Sequence, residues 1–457
     1  MKDTPSNIES SIAMSEANTP FEIHKGEFYL KNKDIEIKVK GSISFKWIPS
    51  LGQYFSGEVI TKSNNNNILS WEIVEELTGK EFKVINKDLK YGRGIVIDTT
   101  INKGSNHEGT FIKGKIHKPN VVGDKSITVE KMFFSIPNLR EIHGSVVKSY
   151  TNRRFLMARL ELENDDYIIT IDKCPNYKAK LKSLKDNGGY IILYSGELKR
   201  RKGPVNLENT EDIFHCLNAF ITFLNGRRTA TVFLQGIYED DVKWIDYSNK
   251  IIDPYKHVHS WPQKYSTNGL NELWQRFSSL WKNTDDKNFL ETVIHWYIEA
   301  NSNSGFTEGS IIMAQTALEL LYNWWIVEDK KLIIGEDAKK MSASNKIRLL
   351  LSQLNISHLA PDRFTELQEL IDNDINIIDA PDAIVQIRNA IVHSQEEKRR
   401  KIIAIHPHAK HEALELSIWY IEMALLRILN YDGKYMNRCS IENNEEYVPW
   451  VDKVNIV

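Results

Sequence analysis

Only three cysteines occur in 457 residues, Cys174, Cys216 and Cys439, far apart and with no CxxC pair. That excludes a disulfide framework and a thiolate zinc knuckle, and it fits a reducing, cytoplasmic setting. No apolar run approaches the ~18 residues that cross a bilayer. The polar start, residues 1–20, has no apolar signal core, so the sequence predicts a frayed, disordered tail there and no membrane partner. An excess of one charge is also missing: 59 Lys+Arg stand against 61 Asp+Glu, a formal −2. A globally basic nucleic-acid coat, an acidic tail protein and a polybasic membrane binder are thereby excluded. With 23 Gly and 13 Pro, collagen-like and low-complexity classes drop out. GxxxxGK[ST], HExxH and GxSxG are absent, which leaves NTPase, zincin and α/β-hydrolase readings without support.

What is present is a chain with 41% hydrophobic and 10% aromatic residues, enough for two to four domains with dry cores. From residue 21 to 205 the texture is short β-prone runs of period two, such as IEIKVKGSISFKW, GIVIDTT, TFIKGKIH and YIILYSGEL, broken by turn residues. The pattern predicts a β-rich sandwich or barrel-like domain of half-buried antiparallel strands. The Asn64–Asn67 run and Asn187-Gly188-Gly189 read as turns or loop tips. Helical spacing begins at EDIFHCLNAFITFLNG, with Ile213, Leu217, Phe220 and Leu224 on one stripe and Gly226 as the stop. Residues 206–300 are thus expected to form a helical linker region with one or two strands, and 301–457 an α-bundle; the fold class is α+β. Charge divides the same way. Residues 300–457 carry 17 basic and 23 acidic residues, leaving 42 and 38 for the β-rich part.

The informative segment is DAPDAIVQIRNAIVHSQEEKRRK, Asp379 to Lys401. Asp379 is a suitable N-cap with Pro381 in the first turn. Ile384, Ile387 and Ile391 form one apolar stripe, and Asn389 and His393, four residues apart, share the roughly opposite face. Arg388 lies between the faces, about 140° from His393 on an ideal helix. One helix therefore does not join Arg388 to His393, whereas two copies packed about a two-fold axis could. An arginine, an amide and an imidazole in one cleft suit phosphodiester chemistry: the imidazole moves protons, the guanidinium braces charge on phosphate oxygens, and the amide orients. No carboxylate cluster or metal is required, which favours RNA cleaved through its own 2′-hydroxyl. Arg399 and Arg400 also precede His406 at similar spacing, but without an adjacent polar residue and without a helix pattern to carry it.

RNAIVH resembles the signature of HEPN domains, in which Arg, an adjacent polar residue and a following His form a metal-independent ribonuclease site at a dimer interface. GSIIMAQTALELLYNWW (Gly309 to Trp325) resembles the long first HEPN helix, with Glu319 in the recurring apolar-Glu-apolar context. NYDGKYMNRC followed by EEYVPW is similar to the C-terminal pattern of HEPN proteins of the ApeA type, bacterial anti-phage defence proteins with a β-rich N-terminal domain. The resemblance covers residues 306 to 450. It implies an all-α HEPN bundle, a homodimer, and an endoribonuclease needing no cofactor. His393 would act as general acid or base, Arg388 as phosphate stabiliser and Asn389 as the orienting group. Glu319 on the facing helix is a candidate to hold Arg388, its alternative being a solvent-facing helix glutamate. The resemblance further implies abortive-infection toxicity held silent until a phage-derived trigger acts, with unpaired RNA, tRNA anticodon loops among it, as substrate. The same fold without activity would serve as a dimerisation module or an RNA- or protein-binding module.

Two further groups follow the motif. Lys398, Arg399, Arg400 and Lys401 either grip RNA phosphates or form a solvated loop. His406, His408 and His411 offer an HxHxxH pattern, but no clear carboxylate partner is evident and the reading is a polar helix start, with no metal. Trp47, Tyr54, Phe55 and Trp71 could line a recognition surface, although a half-buried sheet presents the same residues.

Overall fold

The computed structural model describes residues 4–451 except 10, 11, 13, 34, 61–76, 87, 88, 104–107, 119, 151–153, 264–268, 303–305, 394 and 441–444. The Asn64–Asn67 run and Trp71 lie outside the described residues. Six antiparallel strands, β1 (Phe21–Lys31), β2 (Glu36–Lys46), β3 (Gly52–Val59), β4 (Glu81–Asn86), β5 (Leu89–Lys103) and β6 (Glu108–Lys118), close into a barrel in the order β1-β2-β3-β6-β5-β4. Period-two alternation points Phe28, Leu30, Val39, Ile43, Val84 and Ile112 inward, each fully buried. The bore is narrow. A Cβ on Gly114 would stand 2.0 Å from the Phe55 ring, so that position admits only glycine.

A second, eight-stranded antiparallel sheet follows. It uses β7 (Val121–Gly123), β8 (Lys131–Pro137), β9 (Ser145–Lys148), β10 (Phe155–Glu163), β11 (Tyr167–Lys173), β12 (Ile192–Arg200), β13 (Val232–Tyr238) and β14 (Asp241–Asp246), in the order β7-β14-β13-β8-β12-β11-β10-β9. Helix α1 (Tyr177–Asn187) joins β11 to β12, and α2 (Glu211–Asn225) joins β12 to β13. Phe21 and Phe45 of the barrel meet Phe233 of this sheet edge-on at 4.9 and 4.8 Å, tying the two β units together. The β-rich region therefore runs to Asp246 rather than ending at 205. The amphipathic α2, stopped by Gly226 at φ 71°, interrupts a sheet that resumes in the apolar run VFLQGIY.

The expected frayed tail is also corrected for its described residues. Asn7 donates from Nδ2 to the Lys173 carbonyl at 2.9 Å, the Ile8 N–H reaches Asp172 Oδ2 at 2.8 Å, and Met14 is 2% exposed. The segment is polar because it edges the sheet through hydrogen bonds, a role that composition cannot distinguish from fraying.

The remainder is mainly helical: α3 (Leu270–Trp281), α4 (Thr284–Asn301), α5 (Phe306–Leu321), α6 (Gly335–Lys340), α7 (Ala343–Ser352), α8 (Thr365–Asn373), α9 (Ala380–Val392), α10 (Glu396–Ala404) and α11 (Pro407–Ile428), closed by the hairpin β15 (Lys434–Met436) and β16 (Glu445–Tyr447). Helix α5 continues as a π-helix over Tyr322–Asp329. Helices α3 and α4, expected as linker, share the core of the bundle: Trp274, Leu290, Val293 and Tyr297 are fully buried, and α4 packs along α5. Among the described residues no helix is long and apolar enough to cross a membrane.

A buried polar network joins helices to sheet. Arg438 lies against Glu422 at 2.7 Å and Glu415 at 3.0 Å, and its Nη2 donates to Asn301 Oδ1 at 3.0 Å. Asn301 in turn donates to the carbonyls of Gly226 and His259 at 2.8 and 2.9 Å. The His259 imidazole is pushed down to about 3, first by burial and then by the Arg438 charge. The folded chain keeps it neutral where the unfolded chain protonates it near its ordinary 6.5. The stabilisation is thus complete above pH 6.5 and declines as pH falls toward 3. Thermal unfolding at pH 7 and pH 5 should show wild type losing about 2 kcal/mol more than His259→Gln. Equal losses would contradict this assignment.

Candidate functional site

Helix α9 is set by its first turn. Asp379, 2% exposed, accepts the Asp382 N–H at 3.0 Å, and Arg348 of α7 clamps the same carboxylate from Nε and Nη2 at 2.6 and 2.7 Å. Ile384 and Ile387 are fully buried and Ile391 partly so, as the stripe predicted. This anchors the rotation of the helix and turns Arg388 and Asn389 to a half-buried position, with His393 exposed.

The helix ends at Val392, so His393 is its C-cap, in extended backbone at φ −90° and ψ 102°. Its N–H still donates to the Asn389 carbonyl at 3.1 Å, which holds the His393 backbone over the last turn. Arg388 Nη1 donates to Asn389 Oδ1 at 3.1 Å, while Arg388 Nε is buried with no hydrogen-bond partner. Arg388 and Asn389 are thus brought together. No hydrogen bond joins Arg388 to His393 among the described residues, in keeping with their separation on the helix.

Glu319 does not hold Arg388. It is exposed on α5 and pairs with Lys346 Nζ of α7 at 2.8 Å. The attraction is local: α7 crosses that face of α5 and offers a cation nearer than the end of α9.

The basic run does not form a loop. It lies on α10, where Arg400 pairs with Glu396 one turn earlier and Lys401 Nζ reaches Asp374 Oδ2 at 3.2 Å. Asp374 is held below the usual carboxylate range by the Asn376 N–H and by Lys401. The charges of Arg400 and Lys401 are therefore partly neutralised within the chain. The side chains of Lys398 and Arg399 lie outside the described residues.

His406 caps α11, as the polar-start reading expected, with its Nδ1 facing the His408 N–H at 3.4 Å. The carboxylate that sequence spacing did not reveal is Glu366 of α8, whose Oε2 is 3.1 Å from His406 Nδ1. Among the described residues, the ligand atoms of Glu366, His406 and His408 lie within 4.8 Å of one another, while His411 is not part of the group. Of the aromatic candidates, Trp47 and Phe55 are each 1% exposed and belong to the core; Tyr54 is half-buried beside Lys46 and Lys115.

Comparison with known proteins places these features in two matched stretches. Residues 124–258, which contain β8 to β14, match the YopA central domain, and residues 283–448, which contain α9 and its motif, match the YopA C-terminal domain. The SPbeta prophage-derived uncharacterized protein YopA of Bacillus subtilis (strain 168) is 27% identical over 461 residues, spanning 98% of this chain and 99% of that protein. No solved structure matches the chain.

Proposed function

We propose that the chain is a metal-independent endoribonuclease of the HEPN type, active as a homodimer and restrained by its β-rich units. The observation that carries this reading is the end of α9: a half-buried Arg388 bonded to Asn389, one donor still unpartnered, one turn before an exposed imidazole. His393 takes the proton of the RNA 2′-hydroxyl, O2′ attacks phosphorus, and the bond to O5′ breaks with a proton delivered to O5′. Arg388 meets the charge that gathers on the non-bridging oxygens. The products are a 2′,3′-cyclic phosphate and a 5′-hydroxyl.

Dimerisation is supported by apolar side chains exposed around the motif: Ile375 and Ile378 before α9, Val392 at its end and Ile403 on α10, at 97, 76, 43 and 82% exposure. A two-fold packing there would bring Arg388 of one copy toward His393 of the other. The setting in phage defence rests on the sequence resemblance, and a prophage origin is stated for the Bacillus subtilis relative.

The test is RNA integrity. Purified wild type, incubated with total RNA with and without phage lysate, each in the absence and presence of EDTA, should cleave in at least one lysate condition whether or not EDTA is present, and His393→Ala in none. Intact RNA in every wild-type reaction would overturn the reading, and cleavage abolished by EDTA would point instead to a metal at Glu366, His406 and His408.

A further inference from the structure

Two of the arginines that the chain takes out of solvent, buried Arg438 and half-buried Arg159, are neutralised by carboxylates. Arg438 has Glu422 and Glu415, and Arg159 has Asp172 at 2.8 Å. A buried charge without such a partner is strongly disfavoured, so an unpaired one needs an explanation. Arg227 is one. It is 5% exposed, its Nη1 and Nη2 donate to the neutral carbonyls of Lys256 and Asn138 at 2.5 and 2.8 Å, and its Nε is buried with no hydrogen-bond partner. Its guanidinium lies 4.5 Å from the centre of the Tyr255 ring. No carboxylate lies within ion-pair distance of Arg227 or of neighbouring Arg140 among the described residues. The acids that bear on them are engaged elsewhere: Asp253 by Arg228 at 3.6 Å, and Glu422 by Arg438 and Tyr297.

Both arginines line one cavity of about 310 Å³, past the end of the interior strand β8 and lined also by α1, the end of α2 and the segment 255–258 that leads to the helices. Lys185, Lys256 and His257 stand at its rim, all exposed, and the rings of Tyr177 and Tyr255 form part of its wall. Its acid, Glu141, is already held by Lys173 at 3.2 Å and His143 at 3.0 Å. Burial lowers both arginines, Arg227 to about 10, which leaves the guanidinium protonated at neutral pH. The surplus reaches further: Arg140 is among the charges that keep His259 neutral.

We infer that this cavity binds a small phosphate ester, with the phosphate taken by Arg140 and Arg227, the rim lysines beside it, and the organic part against the tyrosine rings. Four permanent cations facing one neutralised acid suit the charge of a phosphate better than that of a single carboxylate. The volume falls at the lower end of ligand sites, roughly 300–1,000 Å³, which is the scale of a mononucleotide. The site is built from the sheet unit and does not depend on the nuclease reading. Lys256 also bonds the Ser302 carbonyl at 2.6 Å at the end of α4, so the ligand would touch a residue that already joins sheet to helices.

The experiment is calorimetric titration of the full chain with AMP, ADP, inorganic phosphate and adenosine at fixed ionic strength. AMP or ADP should bind with a micromolar constant, inorganic phosphate more weakly, and adenosine not at all. Arg227→Met should abolish binding. Because that variant alters a buried residue, the double variant Lys185→Glu, Lys256→Glu, confined to exposed side chains, provides the second arm and should weaken binding at least tenfold. Absence of binding by AMP, ADP and phosphate at millimolar concentration, or equal affinity in wild type and the rim variant, would overturn the proposal. Equal binding of adenosine and AMP would do the same, since it would show that the arginines are not the recognition element.

Discussion

Replacing Arg438 by methionine is expected to destabilise the folded chain by about 3–5 kcal/mol, the usual consequence of leaving one member of a buried ion pair alone. Arg438 and Glu422 are both fully enclosed, and Tyr297 donates to the same carboxylate at 2.8 Å. Burial and Glu422 together hold the Tyr297 phenol well above its ordinary value, so it stays a donor. Without Arg438, Glu422 keeps one phenolic hydrogen bond and no cation, and Asn301 loses the partner that aligns it on Gly226 and His259. A lower denaturant midpoint with an unchanged circular-dichroism spectrum at low temperature would be the signature. Adding Glu422→Gln to Arg438→Met should recover part of the loss, because it removes the orphaned charge and keeps an acceptor for Tyr297. A single variant within 1 kcal/mol of wild type would show that the network is better hydrated than its burial implies.

The second large effect concerns the motif. His393→Ala should slow RNA cleavage by about 10²–10⁴-fold and Arg388→Ala by about 10²–10³-fold, as expected for losing a proton-transfer group and a charge-stabilising donor. If the site is shared across a two-fold axis, a heterodimer of the two variants carries one doubly damaged site and one intact site. Co-expression with two different tags and purification of the mixed dimer should then restore roughly half of the wild-type activity. Restoration of none would place Arg388 and His393 of one chain in the same site.

Much of this was legible in the sequence where local chemistry decides. Period-two alternation in IEIKVKGSISFKW marks a barrel strand, Gly226 ends α2, and Asp379 with Pro381 opens α9 over the buried Ile384 and Ile387. What the sequence did not reveal depends on contacts between distant residues. The partner of Glu319 is Lys346, chosen by the crossing of α5 and α7. Glu366 meets His406 only because α8 lies beside the start of α11. The polar N-terminal segment becomes ordered through Asp172 and Lys173, and Arg227 is recognisable as unpaired only once its carbonyl partners are seen. Helix α10 was hidden because its charged sequence has no apolar stripe; Arg400–Glu396 and Lys401–Asp374 support it instead.

The chemistry of the cut ends tests the proposed ribonuclease mechanism. RNA cleaved by the purified chain in the presence of EDTA should carry 2′,3′-cyclic phosphate and 5′-hydroxyl termini, and His393→Ala, folded as judged by its unfolding transition, should leave the same RNA whole. Termini bearing a 5′-phosphate would exclude attack by the 2′-hydroxyl, and cleavage undiminished in His393→Ala would exclude His393 as the proton-transfer group.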